Sequence, residues 1–277
     1  MGTLIIAEKT NEDFEKLLSA LRARGLEASF LEISQAGLFI ENNLAGAIKG
    51  EGLFDGHDSV FLSVPPKFTM FAEPFLHSLA DLGVYCQLKP SSFYIISSKP
   101  FLCHALNSKG VPVPRSDILG ERETIDSSAK EIGYPMMLRT FSGLAKTSSV
   151  FIESERSLVS FVKSIPRETD AITLHEYLAG DVDQSLVAGD EVLTVKRNWV
   201  EKELSHSRKG VYTNLSEQDR ETAIRAARVC GADICMVKMV VGKVIGIKTE
   251  IDFGVFSSAL GQDVHGRIAD HYREKVR

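Results

Sequence analysis

The pattern of residues 3–33 limits the fold more than any other stretch. Residues 3–7 (TLIIA) form a short β-branched apolar run, read as a buried strand. Asn11 or Thr10 can then cap a helix on which Phe14, Leu17, Leu18 and Leu21 recur along one face. Gly25 stands where that helix must stop, in a position that favours positive φ, and a second strand near residues 26–33 follows at once. Strand, helix and strand in this order imply a right-handed crossover and a parallel sheet. Residues 58–64 (DSVFLSV) supply a third strand, broken by Pro65-Pro66. A helix over 68–82 ends at Gly83, and 84–88 gives a fourth strand. Residues 1–88 are therefore expected to form a small open α/β lobe.

The rest of the chain changes character. A helix over 98–108 runs into Lys109-Gly110-Val111-Pro112-Val113-Pro114, where the glycine ends it and the prolines force extended chain. Strands are expected at 136–139, 150–153, 171–178 and 190–196. Helices are expected at 154–164, capped by Ser154, and at 217–230, capped by Ser216. Residues 237–241 and 243–249 flank Gly242 as an antiparallel hairpin, and 261–275 close the chain as a helix.

Charge and composition remove some functions. The net charge is −5, so the surface repels polyphosphate at long range and nucleic acid is not the expected partner. No window approaches the ~20 apolar residues of a membrane span, and the N-terminal apolar run is too short for a signal peptide. Both absences lead to the expectation of a cytoplasmic protein without a membrane partner. Cys86, Cys103, Cys230 and Cys235 form no CxxC pair and read as reduced, mostly buried thiols. The seven histidines show no metal-ligand spacing, and His104 and His175 read as packed or surface residues rather than bases. Lys196, Arg197, His206, Arg208 and Lys209 make a basic stretch around Trp199, the only tryptophan. It reads either as a solvated loop or as a grip for an acidic substrate or a partner protein's carboxylates.

The ordered set of local sequences resembles the ATP-grasp superfamily. The nearest branch contains the glutamate ligase that modifies a ribosomal protein and the amino-acid ligase of carrier-protein lysine biosynthesis. Lys89-Pro90, then Ser98-Lys99-Pro100 and the helix ending in Lys109–Pro114, is similar to that branch's entry into its first nucleotide-binding subdomain. Gly133-Tyr134-Pro135-Met136-Met137-Leu138-Arg139 resembles its phosphate-side strand, and His175-Glu176-Tyr177-Leu178 the strand along adenine. Leu215-Ser216-Glu217-Gln218 fits the branch, and Asp252-Phe253 with Gly261–Gly266 resembles its closing segment. The likeness runs from about residue 89 to 271. It implies an α/β chain, α+β in its C-terminal part, with a lobe at 1–88 followed by ATP-grasp subdomains at 89–172 and 173–277. It also implies ATP as cofactor, a small amino-acid-like or acidic substrate, and amide formation through an acyl phosphate. A protein partner and a homo-oligomer stay open.

Residue by residue, the resemblance places Lys99 and Arg139 at the phosphates, where cations offset charge. The loop from Ser142 to Ser149 resembles the family's phosphate cover, with fewer glycines to bring backbone N–H groups close. Glu176, Tyr177 and Leu178 would line the adenine pocket, and Asp181 or Asp183 would take the ribose hydroxyls. Gln184 stands where the family has an arginine. The largest departure lies in the final hairpin. The family's metal-binding aspartate aligns with Lys238. Its glutamate aligns with Gly246 or, on a two-residue shift, Lys248, and its asparagine with Lys248 or Glu250. An ammonium has no lone pair for magnesium, which leaves Glu250 and Asp252 as metal-ligand candidates on a strand shared with Lys248. Either Lys238 and Lys248 replace magnesium as phosphate-neutralising charges, or the nucleotide site is dead. Three functions follow: an ATP-dependent carboxylate–amine ligase, a non-catalytic relative that binds a nucleotide, anion or partner, and a scaffold without ligand.

Overall fold

The computed structural model describes residues 1–41, 44–48, 51–52, 56–142, 146–166, 169–200, 205–206, 209–261 and 263–276. Strand β1 (Gly2–Ala7) is buried along its whole length. Helix α1 (Glu12–Ala23) begins at Asn11, whose side chain accepts the Phe14 N–H at 2.9 Å, and it buries Phe14, Leu17, Leu18 and Leu21. Gly25 then turns the chain at φ +79° into β2 (Glu27–Glu32). A meander of β3 (Gly37–Glu41), β4 (Leu44–Ile48) and β5 (Glu51–Gly52) follows, which the sequence pattern does not announce. The lobe is completed by β6 (Ser59–Ser63), α2 (Thr69–Asp81) and the short β7 (Tyr85–Cys86). The sheet order is β2-β1-β6-β7, and every pairing is parallel, as the β-α-β order requires.

Helices α3 (Ser92–Ser97) and α4 (Lys99–Ser108) lead into an antiparallel sheet of order β10-β9-β11-β8. It consists of β8 (Ser116–Leu119), β9 (Met136–Ser142), β10 (Lys146–Ile152) and β11 (Ala171–Glu176), covered by α5 (Ile125–Ile132) and α6 (Glu155–Val162). Ser154 caps α6 in a reciprocal capping box with Ser157. This sheet has its own core, built on Met136, Leu138, Ile172 and Leu174 against Ile125 and Leu158. The boundary expected at 172 falls inside β11, which pairs with β9 from residue 171 to 176. Of the expected phosphate cover, residues 143–145 lie outside the described residues, while Ser148 and Ser149 belong to β10.

The third sheet, again antiparallel, has the order β16-β13-β12-β17-β18. Its strands are β12 (Val182–Ala188), β13 (Glu191–Arg197), β16 (Val211–Thr213), β17 (Ile234–Val240) and β18 (Lys243–Lys248), with β14 (Trp199–Val200) and β15 (Ser205–His206) pairing separately. Helix α7 (Glu217–Val229) covers one face, where Ala223 and Ala227 meet Cys235, Val237 and Met239. The other face packs through Leu186, Ile234 and Met236 on α8 (Phe253–Leu260), α9 (Val264–Lys275) and α1. First lobe and third sheet thus share a core. Tyr272 of α9 fixes the junction: its hydroxyl shares its one proton between the Val60 carbonyl at 2.8 Å and Gln87 Oε1 at 3.0 Å. Arg24 adds a two-pronged pair with Asp270 at 2.8 and 2.9 Å.

The hairpin of β17 and β18 turns on Val241 (φ +48°) and Gly242 (φ +70°), the pair of positive φ values that a two-residue type I′ turn demands. A bulge between Lys238 and Met239 shifts its register. Beyond Lys248 the chain leaves the sheet. Glu250 and Asp252 therefore do not extend the strand with Lys248, as the sequence reading had them; Asp252 instead caps α8, accepting the Val255 N–H at 3.4 Å. Cys103, Cys230 and Cys235 are buried and Cys86 half-buried, all as free thiols. Among the described residues no helix is long and apolar enough to cross a membrane.

Candidate functional site

Between the second sheet and the β17–β18 hairpin lies a cavity of about 240 Å³, lined by Lys99, Pro114, Met137, Arg139, His175, Glu176, Tyr177, Leu178, Trp199, Val240 and Ile245. Five residues singled out from sequence meet here: Lys99, Arg139, Glu176, Tyr177 and Leu178. They arrive from three elements, Glu176 as the last residue of β11. Lys99 is the first residue of α4, Arg139 the middle of β9, and Tyr177 and Leu178 follow β11 where it leaves the ladder.

The electrostatics of the cavity are positive and poorly solvated. Burial holds the Lys99 ammonium below its ordinary pKa, and nearby Arg139 adds to the effect; the Lys99 Nζ donates to the Ile245 carbonyl at 2.5 Å. Burial also lowers Arg139, whose Nε is enclosed without a hydrogen-bond partner among the described residues. His175 is 4% exposed and pushed down to about 3 by burial, then by the charges of Lys99 and Arg139. It is neutral at ordinary pH and joins Ser116 Oγ at 2.6 Å and Thr173 Oγ1 at 2.9 Å. Burial opposes ionisation of Glu176, but hydrogen bonds from Lys243 Nζ and the Arg115 N–H outweigh it and its carboxyl falls below the usual range. Glu176 so ties β11 to the hairpin. Tyr177 stacks edge-on against Phe151 and Trp199, with centroids 4.6 and 5.9 Å apart, and its hydroxyl is buried without a partner among the described residues. Trp199, which the sequence marked only as part of a basic stretch, is half-buried as a cavity wall.

Lys238 and Lys248 lie beyond the cavity on the sheet. Lys238 sits opposite Gly246 and Gln184, and Lys248 opposite Met236, so strand alternation puts both lysines on one face. Arg197 reaches Gln184 Oε1 at 3.3 Å on the same face. Burial lowers the Lys238 pKa, the charges of Lys248 and Arg197 lower it further, and Asp252 opposes them. Lys196 turns to the other face and pairs with Asp183 at 3.6 Å, so the basic stretch is not one patch; Arg208 lies outside the described residues, and no side chain is described for His206. Asp183 lines a separate cavity with Asp219 and Lys243, and burial raises its pKa despite Lys196. Glu250 borders a third cavity of about 430 Å³ at the carboxyl ends of β1 and β6, with Glu8, Lys9 and Asn11.

A magnesium ion held as in the resembled family needs oxygen ligands in near-octahedral array. The structure offers ammonium groups at Lys238 and Lys248, a helix cap at Asp252, and Glu250 in another cavity. Among the described residues no group of three or more His, Cys, Asp and Glu side chains is placed to hold a metal. Among the described residues these side chains do not compose such a cage.

Residues 97–271 match the family model described as the RimK-like ATP-grasp domain. A probable alpha-L-glutamate ligase of Shewanella loihica is 22% identical over 276 residues, 95% of this chain and 92% of that protein. Among solved structures, the ATP-grasp ligase PsnB complexed with precursor peptide PsnA2 and AMPPNP superposes with TM-score 0.74 at 17% identity, covering 99% and 97% of the two chains. A RimK domain ATP-grasp protein from Sphaerobacter thermophilus gives 0.71 at 18% identity, covering 98% and 99%. With more than half its length under the family model and the paired antiparallel sheets of that fold around its cavity, the chain belongs to the RimK-like ATP-grasp family.

Proposed function

We propose that this chain is an ATP-dependent ligase of the carboxylate–amine type that holds adenosine in the cavity between β11 and the β17–β18 hairpin. One observation carries the reading: an apolar slot walled by Met137, Leu178, Trp199 and Val240 opens beside two desolvated cations, Lys99 and Arg139. The enclosed Arg139 Nε and Tyr177 hydroxyl lack partners among the described residues, and a bound nucleotide would supply them. In the ligase reaction a carboxylate oxygen attacks the terminal phosphorus and ADP leaves. An amine then attacks the acyl phosphate and phosphate leaves. The residues at hand bind, orient and neutralise; no step is assigned to a metal.

The division into a first lobe and two clasping subdomains belongs to the same reading. The carboxylate substrate would be amino-acid-like, as the relatives named probable alpha-L-glutamate ligases suggest. The cavity at the carboxyl ends of β1 and β6 suits it, with Lys9 as counter-ion, because open α/β sheets bind ligands beyond those ends. A peptide acceptor is suggested by PsnB, which was solved with its precursor peptide. A second reading, nucleotide binding without turnover, is favoured by Lys238 and Lys248.

The test uses Trp199, the only tryptophan, as reporter. Titration with adenosine and with ATP should change its fluorescence saturably, and ADP should form when L-glutamate and an amine acceptor are added. Binding without ADP formation selects the second reading. No response to millimolar adenosine or ATP would remove both.

A further inference from the structure

The face that carries Lys238 begins at the adenosine cavity. Val240 lines that cavity, and Lys238 lies two residues back along β17 on the same side of the sheet, about 7 Å away at the rise of a strand. Lys248 stands diagonally across on β18, and Arg197 reaches in from β13 by way of Gln184. Cations from three strands of one sheet thus flank the direction in which a nucleotide's phosphates would leave the slot. Ordinary surface lysines extend into water; Lys238 is half-buried, and among the described residues it has no ion pair within 4.0 Å. The acid that acts on it, Asp252, points its carboxylate at the first turn of α8. A half-buried ammonium beside like charges is costly unless something neutralises it.

We infer that this face holds the phosphates of a nucleotide without a divalent cation, the ammonium groups of Lys238 and Lys248 supplying the charge that a metal supplies elsewhere. This rests on the nucleotide reading above. Lysine is a suitable substitute for charge alone: it neutralises phosphate as a point cation with three donors, though it cannot bridge two phosphates as a metal does. Gly246, opposite Lys238, leaves room on the face where a carboxylate would otherwise stand. Metal-free ATP carries more negative charge than its magnesium complex. This face should therefore prefer the bare nucleotide, the reverse of a carboxylate cage.

The experiment is equilibrium binding of ATP and of adenosine to the full chain, in EDTA and in excess magnesium. ATP is expected to bind at least as tightly in EDTA, with affinity falling steeply as salt rises. Lys238→Gln with Lys248→Gln should weaken ATP in EDTA by about tenfold or more, close to 1.4 kcal/mol, and leave adenosine unchanged. The converse pair, Lys238→Asp with Lys248→Asn, should make ATP binding magnesium-dependent. Thermal melts of each variant check that it folds. If ATP binds the wild-type chain only with magnesium, or the glutamine pair binds ATP in EDTA as tightly as wild type, the inference fails while the nucleotide reading stands. If neither ATP nor adenosine binds, both fail.

Discussion

Removing the Lys238 charge should stabilise the empty protein while it harms ligand binding, and Lys238→Met tests this. Diagonal cross-strand neighbours have Cβ atoms roughly 7–8 Å apart. Two unit charges about 7 Å apart at an effective dielectric of about 20 repel by ~2.4 kcal/mol. Flexible stems let the ammonium groups splay, and Lys248 is exposed, so solvent screening cuts this to about 0.5–1 kcal/mol. Methionine keeps the stem and the packing but removes the desolvated charge. The net gain should be near 1 kcal/mol, a Tm rise of about 2–4 °C for a chain of this size. Thermal melts in EDTA at low salt read the shift. Near 1 M salt, where the Debye length is ~3 Å, most of the Coulomb part should vanish. Adding ATP should raise the variant's Tm less than the wild type's, because stabilisation follows affinity. A variant less stable than wild type at low salt would mean that Lys238 holds a structural partner, and the charge account would be refuted.

Val241 is β-branched at φ +48°, where a side chain costs about 1–2 kcal/mol; Val241→Asn should raise stability by about 1 kcal/mol in denaturant melts. His175 has a folded pKa of about 3 against an ordinary 6.5, so below pH 6.5 the unfolded chain binds a proton that the native one refuses. Stability should therefore fall as pH drops from 6.5 towards 3, by up to ~1.4 kcal/mol per pH unit, and His175→Gln should flatten that slope in urea melts at stepped pH. Tyr272→Phe removes the buried hydroxyl that bridges the Val60 carbonyl and Gln87 Oε1, the latter keeping the Leu62 N–H at 3.1 Å, and should cost about 1–3 kcal/mol in the same melts.

The opening of the first lobe, unlike its β3–β5 meander, was legible because its elements carry single, unbroken periods: β1 is apolar throughout, and α1 repeats Phe14, Leu17, Leu18 and Leu21 between an asparagine cap and a glycine stop. Strand β12 was not, because Gln184 and Ser185 are polar yet 1% and 0% exposed, held by partners that no local pattern reveals. Helix α8 was hidden because Asp252 looked like an extension of the hairpin strand rather than a cap. At the cavity, residues brought in by a family likeness such as Lys99 and Arg139 were found together, whereas Trp199, Val240 and Ile245 were not anticipated. Their position depends on tertiary contacts and on a bulge at Lys238, neither of which leaves a periodic trace.

The clasp between α9 and the first lobe sets an order on synthesis. Residues 2–86 leave the ribosome well before α9, so Val60 of their sheet and Arg24 meet Tyr272 and Asp270 only once α9 has been made. Until then the outer side of α1 faces solvent or a chaperone. A nascent chain halted before α9 would present that apolar side to its neighbours, so premature termination late in the message should yield aggregates rather than a smaller folded species.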